Sequence, residues 1–295
     1  MSPAKQPSLF KGAPTHVSAK GRVLHGAVVR EVTCKSLLNT CGVDDYSFNC
    51  YTGCGHGCVY CYARFMQRFH PHTEPWGKFV DVKMNAVDVL ARQLRRRKPG
   101  SVFTCSACDG WQPVERRYQL TRRCCEMLLD AGFHLGVLTK SELVLRDLDI
   151  FEGRDVRIGV TITTPDESQA KLWEPKASSV AARLRVLTEA KRVGLETAVM
   201  FGPLLPGISD TSEAIRRLFE LAAEVDVDQI WTDTLNRRPR VWPSVRSFLR
   251  RRRPDLLELY RRVLFDRAYR DDYEGKLDGR IRKAAREVGL SRRLA

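Results

Sequence analysis

Apolar and polar positions follow two rhythms along this chain. Short apolar, β-branched runs of strand length are separated by longer stretches whose apolar residues recur at helical spacing, which is the pattern of repeated strand and helix units. Strands are predicted at 47–49, 101–105, 134–138, 157–161, 197–201 and 229–232. Helices are predicted over 121–130, 143–151 and 179–192, and from beyond Thr211 to 225. Gly132 and Gly194 are suited to close two of them, and Asp210 and Thr211 to cap the start of the last.

Parallel strands with helical crossovers close into a barrel or open into a doubly wound sheet, and in both cases function sits at the strand C-terminal ends. The expected fold is α/β, a partial (β/α)6 TIM-type barrel over residues 31–236. A flexible N-terminal arm is expected over 1–30 and a basic, mainly helical C-terminal extension over 237–295. The unusual polar residues fall just past the predicted strands, at 54–61, 105–112, 139–141, 161–164, 202–207 and 233–236. Six loops therefore converge on one face.

Composition narrows the class. With 43% apolar and 29% charged residues over 295 positions, the chain has the make-up of a globular protein with a sizeable core. No run approaches the roughly 20 apolar residues of a membrane span. The opening MSPAKQPSLFKGAPTHVSAKGR lacks the continuous apolar segment that directs secretion. A cytoplasmic protein with no membrane partner is expected. In a reducing compartment, ten cysteines speak for metal or redox chemistry rather than disulfides. The net charge of +15 suits a polyanion partner, but 37 of the 50 basic residues are Arg, and a solvated basic surface accounts for it equally well.

Residues 54–61 read CGHGCVYC. Cys54, Cys58 and Cys61 can wrap one metal centre from a loop that Gly53, Gly55 and Gly57 make pliable, and three ligands leave a coordination position open for chemistry. Structural zinc would require a fourth ligand, and His56 is expected to point outward from such a loop.

A CxxxCxxC motif with an aromatic before its last cysteine, following the first strand of a β/α repeat, resembles the radical S-adenosylmethionine (radical SAM) superfamily. CKSLLN (34–39), NCYTGCGHGCVYCYARF (49–65), PWGKFVDVK (75–83), CDGWQPVE (108–115), LTRRC (120–124), LTKS (138–141), LVLRDLD (143–149), ITT (162–164) and WEP (173–175) are similar to the group related to spore photoproduct lyase. The resemblance covers about residues 30–240. It implies that Cys54, Cys58 and Cys61 ligate three irons of a 4Fe-4S cluster, and that the fourth iron takes the amino and carboxylate groups of S-adenosyl-L-methionine. Reductive cleavage would then give a 5'-deoxyadenosyl radical that abstracts hydrogen from substrate. Asp109 would meet the methionyl amino group, Lys140 and Ser141 its carboxylate, and Thr161 or Thr163 the carboxylate or ribose. Tyr60 and Tyr62 match a tyrosine pair that helps quench a substrate radical. A hydrogen-donating cysteine would be Cys105 or Cys108, between which the text TCSACD does not choose. A DNA or RNA substrate and an electron donor such as flavodoxin or ferredoxin complete the implied partners.

Other readings stay open. The strand-end residues can serve as caps, and Tyr60 can pack over the cluster. Cys105 and Cys108 could join Cys34 and Cys41 or Cys50 in a second metal site, whereas Cys124 and Cys125 read as small buried hydrophobes. The runs 95–98 and 250–253, with Arg237, Arg238 and Arg240 near Trp242 and Phe248, could track a nucleic-acid backbone or simply be solvated. Two rival functions remain: a radical enzyme acting on a peptide, protein or small metabolite, and a non-catalytic zinc- or nucleic-acid-binding protein.

Overall fold

The computed structural model describes residues 21–295. Its strands, in chain order, are β1 (Arg22–Leu24), β2 (Ala27–Val32), β3 (Asn39–Thr40), β4 (Tyr46–Phe48), β5 (Tyr51–Thr52), β6 (Phe79–Lys83), β7 (Ser101–Thr104), β8 (His134–Thr139), β9 (Val156–Ile162), β10 (Glu196–Leu204) and β11 (Gln229–Thr234). A seven-stranded sheet has the order β11-β10-β9-β8-β7-β4-β3. Its strands from β4 to β11 run parallel, and β3 lies antiparallel on the edge. The six parallel strands are the six predicted ones, in sequence order from β4 to β11, and they form a partial, unclosed barrel. They were readable because helices cover them and their apolar runs are nearly continuous; β9, for example, is buried at six of its seven positions.

A second sheet, β1-β2-β6-β5, was not predicted. Residues 22–30, assigned to the arm, belong largely to its first two strands. His25 and Gly26 join these strands with φ of 51° and 69°, the left-handed pair that a two-residue hairpin turn demands. Residues 1–20 of the expected arm lie outside the described residues. The small sheet matters for the site because the chain leaves the large sheet just after β4 and enters β5, which pairs with β6, Tyr51 opposite Val82 and Thr52 opposite Asp81. The cysteine loop thus starts from a fixed point.

The extension consists of helices Val241–Arg252, Leu257–Phe265 and Arg267–Glu287. It packs on the barrel around Trp173, whose ring lies 4.4 Å from Phe248 and stacks on Tyr260 at 6.0 Å and 11°. The C-terminal residues cover the free edge of β11: Ile230 N donates to Arg293 O at 2.7 Å and Ala295 N to Ile230 O at 3.0 Å. Among the described residues no helix is long and apolar enough to cross a membrane.

Because Trp173 is completely buried between the barrel and the extension, Trp173→Ala is expected to cost about 3–5 kcal/mol. Urea denaturation measures this directly, and a cost under about 1 kcal/mol would show that the extension is anchored elsewhere.

Candidate active site

Immediately after β5 the chain turns at Gly53, where φ is +83° and an added Cβ would stand 2.6 Å from Phe79 O. Only glycine fits there. Gln112 clamps the loop that follows, accepting from Gly55 N at 2.7 Å and donating to Gly53 O at 3.2 Å. Gly57 packs on Gly77, whose added Cβ would fall 2.6 Å from Gly57 Cα. Cys61 stands at the start of a 3-10 helix, Tyr62–Arg68.

Cys54 and Cys58 are buried and Cys61 half-buried. Burial pushes all three thiols upward, and Cys54 is raised further by Asp109, Cys58 and Cys61. Three thiols inside one another's field, in a low-dielectric loop, become thiolates only when a cation supplies the missing charge. Iron would supply it, so the donor set fits an iron–sulfur cluster. Among the described residues no three His, Cys, Asp or Glu side chains are gathered closely enough to hold a metal ion. The second metal site considered from Cys105, Cys108, Cys34 and Cys41 or Cys50 is not gathered among them. Cys50 instead lies with its sulfur 3.7 Å from that of Cys124, and Cys124 and Cys125 are fully buried.

Beneath the loop is a buried ion pair with no assigned role in the sequence. Helix Glu167–Trp173 is followed by Glu174, whose side chain is fully buried. Arg183, from helix Val180–Arg192, pairs with Glu174 and also donates to Ser178 O and Thr161 O, both at 2.9 Å. The Tyr60 hydroxyl donates to Glu174, and Thr163 Oγ1 donates to it at 2.8 Å. Lys140 Nζ stands 3.7 Å from the same carboxylate and 5.9 Å from the Tyr60 ring centre. Burial drives the Glu174 carboxyl upward, but Arg183 and Lys140, with the hydrogen bonds from Tyr60 and Arg183, overcome it and hold it at about 2. Burial and the adjacent Glu174 raise the Tyr60 phenol, so Tyr60 stays a donor.

Asp109 organises the other side. Its carboxylate accepts from Thr139 Oγ1 at 2.7 Å, Lys140 N at 2.8 Å and Trp111 N at 2.9 Å. His56 Nδ1 lies 3.4 Å from it. His56 does not point outward as expected: it is buried at 2% exposure, and burial pushes its imidazole below the ordinary range. The flanking Gly55 and Gly57 let the loop fold this ring inward.

The remaining predicted residues divide. Ser141 is buried and caps the 3-10 helix Glu142–Asp147, accepting from Leu143 N at 3.3 Å. Thr161 is buried on β9, its carbonyl held by Arg183. Thr163 is drawn into the Glu174 network, with Tyr60 Oη at 2.8 Å and Gly202 O at 3.0 Å. Tyr62 is 39% exposed, donates to Ser106 O and lies under Arg238, 5.6 Å from its ring centre. Cys105, at φ 70°, turns its sulfur back to accept from Gly110 N at 2.9 Å. Cys108 is buried, its thiol raised by burial and donating to Asn49 Oδ1 and Tyr51 O, both at 3.5 Å. Glu174 and Gln112 could have been noticed in WEP and CDGWQPVE, but nothing local marks them as partners of the loop.

The family model of the radical SAM superfamily matches residues 48–221, which span the cysteine loop and strands β4 to β10. The chain belongs to the radical SAM superfamily. This radical SAM enzyme is 32% identical over 171 residues to an uncharacterised protein of Methanocaldococcus jannaschii, matching 58% of the chain and 64% of that relative's length. It is 30% identical over 219 residues to an uncharacterised protein of Acidianus two-tailed virus, covering 70% of the chain and 72% of the relative. Its fold is that of spore photoproduct lyase complexed with dinucleoside spore photoproduct, with a TM-score of 0.68 at 16% identity over 90% of this chain and 81% of that one. A mutant of that lyase with bound AdoMet and dinucleoside spore photoproduct gives a TM-score of 0.65 at 16% identity, over 86% of this chain and 77% of that one.

Glu174→Gln removes the charge opposing Arg183 and is expected to cost about 3–5 kcal/mol at neutral pH. The Glu174 carboxyl sits lower in the fold than its ordinary value of 4.5. Its contribution is therefore present above pH 4.5 and is lost as pH falls toward 2. Urea denaturation between neutral pH and pH 3 should show the gap between wild type and variant narrowing as the solution is acidified.

Proposed function

We propose that Cys54, Cys58 and Cys61 hold a 4Fe-4S cluster, that Asp109 and Lys140 receive S-adenosyl-L-methionine beside it, and that the substrate is a nucleic acid. The observation that carries this reading is the convergence of three thiols of one loop, two buried and one half-buried, with Asp109 and Lys140 just past neighbouring parallel strands. When bound, the cluster and S-adenosyl-L-methionine supply a 5'-deoxyadenosyl radical through one-electron cleavage of the C5'–S bond.

The chain's own residues orient and shield. Gln112 and the Gly57–Gly77 contact hold the loop in place. Asp109 offers a carboxylate to an ammonium group, and its bonds to Thr139 and Lys140 N fix its plane. The Lys140 ammonium, held between Glu174 and the Tyr60 ring, faces a carboxylate. Ser141 retains a hydroxyl proton to donate, and Thr161 lies buried near the end of β9. Tyr60, Tyr62, Cys105 and Cys108 are the candidates to give hydrogen to a substrate radical; Tyr62 is the exposed one of the four, and Cys105, whose sulfur only accepts, keeps its S–H free, whereas the Tyr60 hydroxyl is committed to Glu174 and the Cys108 thiol to Asn49 and Tyr51. The dinucleoside bound by the lyase of like fold supports a DNA or RNA substrate, which the +15 charge permits, and a reduced flavodoxin or ferredoxin would supply the electron.

Two measurements test this. Anaerobically reconstituted protein should bind iron and, with dithionite and S-adenosyl-L-methionine, release 5'-deoxyadenosine, whereas Cys58→Ala should fall to the protein-free background; equal release from both sinks the cluster assignment. Binding to a single-stranded oligonucleotide should weaken with salt, at a log–log slope of roughly −0.7 per phosphate contacted. A flat slope, or no binding, points to a peptide or small-molecule substrate instead.

A further inference from the structure

Helix Val241–Arg252 lies along the cysteine loop, and between them runs a groove of about 370 Å³. Arg64, Arg240 and Arg251 line it together with Val59, Ser244 and Phe248. The groove reaches the loop through its backbone: Arg64 Nη2 donates to Cys58 O at 3.0 Å and Ser244 Oγ to Val59 O at 2.7 Å. Two of the loop's thiols meet other groups, Asp109 acting on Cys54 and Glu174 and Lys140 on Cys58, while Arg64 of the groove also acts on Cys61. Substrate chemistry belongs to the thiol side. The groove is a separate approach to the same loop, one residue from Cys58.

Among the described residues no carboxylate pairs with the groove's three arginines. Arg64 bonds the Cys58 carbonyl, Arg240 bonds Gln67 Oε1 at 3.3 Å and Arg251 bonds Ser247 Oγ at 2.6 Å, all neutral partners. Arg64 Nε is buried without a hydrogen-bond partner. Arg216 with Glu220, Arg261 with Glu258 and Arg282 with Asp278 are the contrasting case, in which a carboxylate of the same helix answers the guanidinium. Guanidinium forks with no carboxylate beside them are suited to accept carboxylates from another molecule. A nucleic-acid strand suits this groove less well, because unpaired bases need exposed rings to stack on. Phe248 is only 8% exposed, packed on Trp173, and the exposed rings of Tyr62 and Phe69 do not line the groove.

We propose that this groove docks a small acidic electron-carrier protein, which passes one electron to the centre held by Cys54, Cys58 and Cys61. The carrier is oxidised by one electron, the centre is reduced by one, and no bond or proton moves. The proposal rests on the cluster reading of the cysteine loop, and its test keeps the two apart. The variant combines Arg240→Glu and Arg251→Glu, both exposed positions, and the probe is a reduced bacterial flavodoxin. Binding is measured by calorimetry on iron-loaded and iron-free protein, and electron transfer by the bleaching of cluster absorbance after rapid mixing.

The variant should bind flavodoxin and be bleached by it at least about tenfold more weakly and slowly than wild type. The wild-type advantage should shrink as salt rises from roughly 50 to 300 mM. Bleaching by dithionite and the circular dichroism spectrum should stay the same, which certifies fold and centre. Equal flavodoxin binding and bleaching in the two proteins overturn the docking site, as does a loss confined to binding of a single-stranded oligonucleotide. If neither protein takes up iron while the iron-free variant still loses flavodoxin, the docking surface stands and the cluster reading falls.

Discussion

The site depends on keeping Glu174 charged where water is excluded. A lone buried carboxylate would take up a proton, because desolvation costs more than any neutral neighbour returns. Here Arg183 supplies the opposite charge, and Tyr60 and Thr163 fill the remaining acceptor positions. Each partner comes from a different element: Arg183 from a helix, Thr163 from just past β9, Lys140 from just past β8 and Tyr60 from the cysteine loop. One carboxylate therefore ties the loop to two strand ends. The loop's other tether, Gln112, comes from the segment after β7, so three successive strand ends set its position.

Charge is distributed unevenly for the same reason. Many of the arginines behind the +15 are answered within their own helices, at spacings that cost little and contribute little. Those beside the cysteine loop bond neutral groups and leave their charge for something outside the chain. The total says only that the surface is basic. Its meaning resides in where the unanswered guanidiniums stand, three of them beside the cysteine loop.

Much of the fold was legible. The strands of the large sheet read as apolar runs because both faces are covered, and Thr211 and Ser179 cap their helices through side-chain oxygens as their residue types favour. β10 ran on past its predicted end to Leu204, through Gly202 and Pro203, which read locally as breakers; the neighbouring strands hold it in the sheet. The small sheet escaped notice because β1 and β5 are two or three residues long, too short to show a period. His56 was misjudged because flanking glycines permit a ring to face either way, and only the position of Asp109 decided which.

By itself the sequence determined the three-cysteine loop, the strand and helix alternation and the family, since ligand spacing and apolar period are local properties of a chain. Tertiary structure decided which charges meet. Glu174 and Arg183 stand nine residues apart on separate helical segments, and their pairing has consequences only because packing removes water from both. Burial belongs to the whole fold, so the strength of an ion pair, the side to which His56 turns and the arginines left facing outward follow from it and are written in no single stretch of residues.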